Sequence, residues 1–464
     1  MRDEPQASDY QADPAILRIA SWIADPVAPA PFPETTIRFR NQRWARAVGL
    51  DGLDDAAWVG HFARFAPLPG NLPQPLALRY HGHQFRVYNH EIGDGRGFLF
   101  AQMRDADGRL LDLGTKGSGQ TPWSRQGDGR LTLKGAVREV LATEMLEALG
   151  VNTSKSFSVI ETGESLWRGD EPSPTRSAVL VRLSHGHIRI GSFQRLLALG
   201  LPDEMAQLVD YCLATYPGPL PPADAPGRGE PAVILMHQIV ERLADMAASY
   251  MAAGFVHGVL NTDNMNISGE SFDYGPWRWL PRWDPAFTAA YFDHSGLYAF
   301  ARQPEAIHWN CGQLAVALRQ LAEAPPLIAA LERFGELYQR ALARRMVWRL
   351  GLVSRGYEAD FALITEAERH MRAAGLSPDS FFFTHRGGRA APGDAFGTLL
   401  ADYQPLSGAL DHPLWQESGP PTLVIEGVER IWSAIDQAED WGALDEKVAA
   451  IRRMGQALGV AAMT

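Results

Sequence analysis

The first half of the chain is built from short apolar runs broken by glycine and by charged turns. The second half carries longer stretches with apolar residues at helical spacing. Residues 97–103 and 110–116 read as two strands flanking Asp105-Ala106-Asp107-Gly108, a hairpin signal. Residues 132–149 carry apolar side chains at helical spacing, and Gly150 is placed to end that helix. Two further strands are expected over 156–161 and 178–183, and the residues between Arg182 and Arg189 suggest strand, turn, strand. Beyond residue 200 the expectation is helical, over 232–253, 311–322, 325–348 and 358–373. Upstream, residues 1–75 are rich in Pro, Ala and Asp. They include an extended segment at 26–33 and a helix near 53–64, and read as an extension wrapped on the main body. The Pro/Gly-rich stretch 217–231 reads as a loop, and no internal repeat is evident.

Composition narrows the class. At 464 residues, 46% apolar and 21% charged, the chain suits a soluble globular protein of one large domain or two to three ordinary ones. A net charge of −11 argues against nonspecific nucleic-acid binding, which needs basic surface. No apolar run reaches the roughly 18 residues of a membrane span, and Met1-Arg2-Asp3-Glu4-Pro5 leads into polar residues rather than a signal-peptide core. Two cysteines, Cys212 and Cys311, cannot form a disulfide framework and fit a reducing compartment. The expectation is a cytoplasmic, monomeric enzyme with neither a membrane nor a nucleic acid as partner.

The chemistry concentrates in His257-Gly258-Val259-Leu260-Asn261-Thr262-Asp263-Asn264, with Asp273-Tyr274-Gly275 downstream. A protein kinase carries H-R-D-x-x-x-x-N and then D-F-G, its first Asp handling the substrate hydroxyl and its Asn and second Asp holding magnesium. On that template Asn264 and Asp273 take the metal-ligand places, with hard oxygens suited to Mg²⁺ or Mn²⁺. Val259 takes the place of the base and cannot accept a proton. A carboxylate, Asp263, stands instead beside Asn264. Lys116 at a strand end and Glu139 on the next helix match the kinase pair that positions phosphates. The order strand, strand, helix, strand, strand resembles a kinase small lobe, with the catalytic loop following a long helix as in the large lobe.

Other candidates carry less on their own. Gly93-Asp94-Gly95-Arg96-Gly97 can bring backbone close to a polyphosphate, or can be simply a turn. Gly114-Thr115-Lys116-Gly117-Ser118-Gly119 lacks the Gly-Lys-Ser/Thr ending of a P-loop. The glycine-rich loop 117–129, with Asp128-Gly129-Arg130, is expected to fold over something. Arg182 and Arg189 suit phosphate oxygens but equally suit an exposed strand. His81-Gly82-His83 and His185-Gly186-His187 lack a third ligand for a zinc site. The tryptophan-rich segment 276–283 reads as packed, with substrate docking as its other reading.

Together these strings resemble the selenoprotein O family, pseudokinase-fold enzymes that transfer AMP to protein hydroxyls. The resemblance rests on Gly114-Thr115-Lys116-Gly117-Ser118-Gly119-Gln120-Thr121-Pro122, Asn261-Thr262-Asp263-Asn264-Met265, His83-Gln84-Phe85, Arg138-Glu139, Asp273-Tyr274-Gly275-Pro276, Asp284-Pro285-Ala286-Phe287, Asp293-His294-Ser295-Gly296 and Trp309-Asn310, and runs from about residue 80 to 312. It implies an α+β, kinase-like bilobal fold: an N-terminal extension (1–79), a small lobe with nucleotide-binding loops (80–195) and a helical large lobe (196–464). It implies ATP held inverted relative to a kinase, with Gly93, Gly95, Arg96, Lys116, Asp128, Gly129, Arg182 and Arg189 at nucleotide-binding positions. Glu139 supports Lys116, Asn264 and Asp273 bind the metal, and Asp263 is the base. The acceptors implied are Ser, Thr or Tyr of proteins. UMP transfer from UTP with Mn²⁺ and a non-catalytic nucleotide-binding pseudokinase are the alternatives. Many members carry a redox-linked cysteine or selenocysteine near the C-terminus. This chain ends Gly459-Val460-Ala461-Ala462-Met463-Thr464, so disulfide locking by the tail is not expected.

Overall fold

The computed structural model describes residues 5–169, 171–390 and 395–459; the initial Met1–Glu4 string and the tail beyond Gly459, both used above, lie outside the described residues. Strands are β1 (Gln11–Ala12), β2 (Ala24–Pro26), β3 (Thr36–Arg40), β4 (Leu76–Leu78), β5 (Gly82–Gln84), β6 (Val87–Asn89), β7 (Leu99–Arg104), β8 (Leu110–Lys116), β9 (Leu131–Thr132), β10 (Lys155–Leu166), β11 (Thr175–Ser184), β12 (Phe255–Val256) and β13 (Arg278–Trp279). Nine of them form one antiparallel sheet in the order β2-β4-β7-β8-β11-β10-β3, with β1 on β7 and β9 on β11. The expected hairpin 97–116 is its centre, and the two later strands are there but longer than expected.

Strand alternation sorts the sheet into two faces. Leu111, Leu113, Val179 and Val181 pack into one apolar cluster with Trp58 and Phe62, from the predicted N-terminal helix, now Asp55–Phe62. Leu110, Leu180 and Ala178 face the other way, toward Leu133, Val137 and Leu141 of the helix Leu133–Ala148. Lys116 and Arg182 share the parity of Leu110 and Leu180, so the pattern that makes these strands amphipathic also aims both cations to the helix side. Thr132 caps that helix by accepting from Gly135 N at 3.1 Å, and Gly150 ends it in a left-handed turn at φ 73°.

The chain before residue 80 is more than a wrap: it supplies β1–β4 to the sheet. Trp58 is fully buried, stacks on Phe157 at 5.1 Å and donates its indole N–H to Ser158 Oγ at 2.9 Å.

The remainder is helical. The helix Pro231–Ala253 starts on a proline and stops at left-handed Gly254, as its sequence signals require. Tyr357–Ala374 lies where expected. The expected 311–322 helix sits earlier, as Gln303–Leu318, because Pro304 starts it at its first turn. The expected 325–348 helix is two, Ala324–Glu332 and Phe334–Arg349. Arg189 opens the helix Ile190–Leu199 rather than a second strand; apolar positions 190, 193, 196 and 197 carry helical spacing, which overrides the strand reading. No helix among the described residues is long and apolar enough to cross a membrane.

β12 and β13 pair Phe255 with Trp279 and Val256 with Arg278. The segment 257–277, with the catalytic-loop motif and Asp273, therefore leaves and returns through one clasp. Trp277, Trp279 and Trp283 are buried beneath it, which decides for packing over docking.

Replacing Trp58 with alanine is expected to cost about 4 kcal/mol of folding stability, the scale for removing a buried large aromatic. Urea unfolding checks this; a cost within about 1 kcal/mol would show that Asp55–Phe62 is a detachable appendage.

Candidate active site

β8 ends in Lys116 and the neighbouring helix carries Glu139 one face away. The ammonium contacts Glu139 Oε1 and also reaches Asp273 Oδ1 at 2.8 Å. Arg182 Nη1 lies 3.6 Å from the same Asp273 oxygen. Lys116, Glu139 and Arg182 are all buried. Burial alone would raise the Asp273 carboxyl, but Lys116, Arg182, Arg96 and Arg189 together hold it well below the usual carboxylate range. Asp273 takes φ 63°, a left-handed backbone that few residues other than glycine adopt.

Arg189 is held between two rings, 4.3 Å from the Tyr80 centroid and 4.9 Å from that of Phe272. It donates to Asp94 Oδ1 at 3.0 Å and to the carbonyl of Asp263 at 2.9 Å. Arg182 lies 5.1 Å from the Phe272 ring. Nε and Nη1 of Arg182 and Nε of Arg189 are buried without hydrogen-bond partners. Unpaired guanidinium nitrogens in a dry cleft are costly, and phosphate oxygens are the natural ligands for them.

The catalytic loop is fixed from several sides. His257 Nδ1 accepts from Val259 N at 3.4 Å, which leaves Nε2 to donate to Phe272 O at 3.1 Å. Asn264, in the turn Thr262–Asn264, donates Nδ2 to Val259 O at 3.0 Å, so its Oδ1 is the free acceptor. Asp263 is 8% exposed, with Oδ1 buried and unpaired and Oδ2 3.5 Å from Gln84 Nε2. Burial pushes its carboxyl up to about 6, against the pull of Arg189. A carboxylate poised just below neutrality suits a general base. Asp273 and Asn264 Oδ1 are hard oxygens of the kind a divalent cation takes, and three nearby cations suit anionic phosphates.

Thus Lys116, Glu139, Asp273, Arg182, Arg189, Asp263 and Asn264 gather at one site. Arg96 joins through its field on Asp273; its side chain is exposed, and its carbonyl accepts from Gly117 N at 2.6 Å. Gly93 and Gly95 make room for Trp123: a Cβ at Gly93 would sit 2.5 Å from the indole ring, and one at Gly95 2.8 Å from the Trp123 carbonyl. The loop 117–129 therefore folds onto the Gly-Asp-Gly-Arg turn. Asp128 and Gly129 share no hydrogen bond or ion pair with the cluster. Asp128 binds Arg168 at 2.8 Å, and Gly129 O accepts from Gly119 N at 3.1 Å. Spacing did not reveal Tyr80 and Phe272, whose rings reach the site only through the fold. Asp94 lay in a quoted motif, and its charge beside Arg96 was the available signal.

The paired histidines are structural. His81 meets the Tyr88 hydroxyl, His83 accepts from Gln194, His185 contacts Leu110 O and His187 contacts Asp112. Among the described residues no group of three His, Cys, Asp or Glu side chains could hold a metal. Cys212 and Cys311 are fully buried and unpaired, and burial raises both thiols far above their usual value. A cavity of about 910 Å³ lies away from this cleft, behind Leu133–Ala148. Many of its charges are matched, Arg43 and Lys155 to Glu147, Arg452 to Glu144 and Arg345 to Asp245, while burial pushes the Glu270 carboxyl up to about 7.

A buried Lys–Glu pair, buried guanidinium groups, hard side-chain oxygens and a desolvated carboxylate in one cleft suit an enzyme acting on a nucleoside triphosphate. A family model described as "Protein adenylyltransferase SelO" matches residues 6–388. A Synechococcus elongatus protein named protein nucleotidyltransferase YdiU is 51% identical over 75% of this chain and 68% of its own length. A Gloeobacter violaceus protein of the same name is 42% identical over 96% and 95%, and one from Pseudomonas aeruginosa is 36% identical over 85% and 79%. The chain belongs to the SelO family and is a protein nucleotidyltransferase.

The raised Asp263 value sets a sign for stability. Because the folded-state value lies above the unfolded one, this carboxyl favours the folded state below about pH 4, and that contribution is lost as pH rises through about 6. Asp263→Asn is therefore expected to melt above the parent at pH 8, with the advantage gone by pH 4. Calorimetric melting at both values is the check; an equal or lower melting temperature at pH 8 would show that Asp263 is not desolvated.

Proposed function

We propose that the protein transfers AMP from ATP to Ser, Thr or Tyr hydroxyls of proteins, with ATP inverted relative to a kinase. The reading includes a kinase-like two-lobed arrangement, in which residues 80–195 and 196–464 enclose the nucleotide and 1–79 pack on that core. The observation that carries it is Arg182, buried beside Asp273 with Nε and Nη1 lacking hydrogen-bond partners. A kinase pose would set the γ-phosphate beside the catalytic loop, where Val259 offers no base. The inverted pose gives the β and γ phosphates to Lys116, Arg182 and Arg189 and leaves the α-phosphate near Asp263. Arg96, with Gly93, Gly95, Asp128 and Gly129 on the adjoining loops, flanks the nucleotide.

In this reaction Asp263 takes the proton from the acceptor hydroxyl, whose oxygen bonds to the α-phosphorus. The bond from that phosphorus to the α–β bridging oxygen breaks, and pyrophosphate leaves with the electron pair. Asn264 and Asp273 would hold Mg²⁺ or Mn²⁺, which supplies neutralisation of the phosphate charge. Glu139 holds the Lys116 ammonium in place, and the arginines are positioned before the reaction begins, so little reorganisation is needed.

ATP labelled at the α or the γ phosphate decides the chemistry. Label on protein from α alone is expected; label from γ would return the chain to kinase chemistry, and α-labelled UTP outcompeting ATP would replace AMP with UMP. The rate of transfer should fall about tenfold per pH unit below about 6, as Asp263 protonates. Asp263→Ala should abolish transfer with nucleotide affinity held within a few-fold, and near-normal turnover would remove Asp263 from the mechanism. Asp273→Asn should lose the metal-dependent part of ATP affinity as well as activity. Unchanged Mg·ATP binding in calorimetry would contradict its role as a ligand.

A further inference from the structure

The helix Leu133–Ala148 shows Glu139 to Lys116, and elsewhere it packs against Ile425–Ala438 and Gly442–Leu458. Glu144 stands five residues beyond Glu139, which places it about 140° round the helix axis. There it meets Arg452, whose Nε donates to Oε2 at 2.8 Å and whose Nη2 donates to Oε1 at 2.6 Å. The pair is two-pronged, and its carboxylate is almost wholly buried. Three residues on, Gly455 lets the helices touch, since a Cβ there would lie 3.2 Å from Ala148 Cα. Lys134, in the first turn of Leu133–Ala148, adds a pair with Glu429 at 2.7 Å.

The same two C-terminal helices are also tied to the sheet. Their connecting turn carries Glu439, which pairs with Arg176 of β11 at 2.5 Å and with Arg38 of β3 at 3.4 Å. The Arg38 guanidinium lies 4.8 Å from the Trp441 ring centroid. β11 is the neighbour of β8, and its Leu180 stands opposite Lys116 in the register. The helix pair thus bridges the sheet that carries Lys116 and the helix that carries Glu139. Of the two anchorages, the one at Glu439 is exposed, where ion pairs contribute little. The grip on Glu144 is buried, and losing Arg452 would take the cation from a buried carboxylate.

We infer that Arg452 is a positioning residue for nucleotidyl transfer: through Glu144 it fixes the helix that holds Glu139 against Lys116. In protein kinases the equivalent pair forms only when its helix is set close to the strand, so whatever fixes the helix governs how the phosphates are held. Lys116 has another partner at hand, Asp273 Oδ1 at 2.8 Å. A helix free to drift would leave the ammonium to that carboxylate and withdraw it from the nucleotide. The inference rests on the reading above that Lys116 holds the β and γ phosphates.

The test uses the full chain, with transfer from α-labelled ATP to casein and calorimetric ATP affinity as the two readouts. Arg452→Met should lower kcat/KM for ATP about tenfold, where a full 1 Å misplacement costs roughly a hundredfold, and should weaken ATP affinity alongside. Arg452→Lys, which keeps the charge, should recover most of the loss. A Glu144→Gln/Arg452→Met variant leaves no unpaired charge, and should show the same fall while still melting cooperatively. The deciding measurement is the cycle with Glu139→Gln. In that background Arg452→Met should cost less than about twofold, because the pair it positions is already broken. An undiminished tenfold cost there, or no cost in the otherwise unaltered chain, overturns the positioning role. Glu139→Gln without effect on transfer or ATP affinity would instead sink the reading of Lys116 and Glu139 as phosphate-holding groups, on which the inference rests. Label from the γ-phosphate with the cycle intact would sink AMP transfer and keep the role of Arg452.

Discussion

Everything at the site depends on keeping opposite charges close in a place with little water. Lys116 sits between Glu139 and Asp273, with Arg182 and Arg189 behind. Taken singly, each of these groups would be expensive to bury; as a set they neutralise one another. That arrangement demands that a strand end, a helix face and a loop converge within hydrogen-bond distance. The sheet, Leu133–Ala148 and the β12–β13 clasp achieve the convergence. The apolar clusters on the two faces of the sheet are thus the means by which a polar cluster is held rigid.

The imbalance within the set is informative. Arg189 is satisfied by Asp94, by a backbone carbonyl and by two rings, and is scaffold as much as ligand. Arg182 is not satisfied in the same way: it has Asp273 at 3.6 Å, but its buried Nε and Nη1 make no hydrogen bond. Asp263 is raised by the same desolvation that the cations relieve at Asp273, so two carboxylates a few residues apart are pushed in opposite directions. Environment, rather than residue type, separates the two carboxyls here.

Much of this was legible in the chain. The strand–strand–helix–strand–strand order and the stop at Gly150 are local patterns, and local patterns survive into the fold. What was missed is of a different kind. The single-residue bridge of Arg189 to Asn266 and the helix after it were misread because a short apolar run suits either strand or helix. The rings of Tyr80 and Phe272 come together from positions nearly two hundred residues apart, beyond any periodicity. The packing of Trp123 against Gly93 and Gly95 was not visible in their spacing. The entry of β1–β4 into the sheet was hidden by a Pro-rich composition that resembles a wrap.

The left-handed backbone at Asp273 limits how this position can change over time. Of the residues that could replace this carboxylate, Glu would keep the charge but sit uneasily at positive φ, and only Asn and Gly accept that conformation readily. Each of those removes the charge that balances Lys116 and Arg182. Single-step substitution therefore leads either to a strained chain or to an uncompensated cation. A lineage that lost catalysis here would be expected to record the loss first at the paired cations, not at the aspartate.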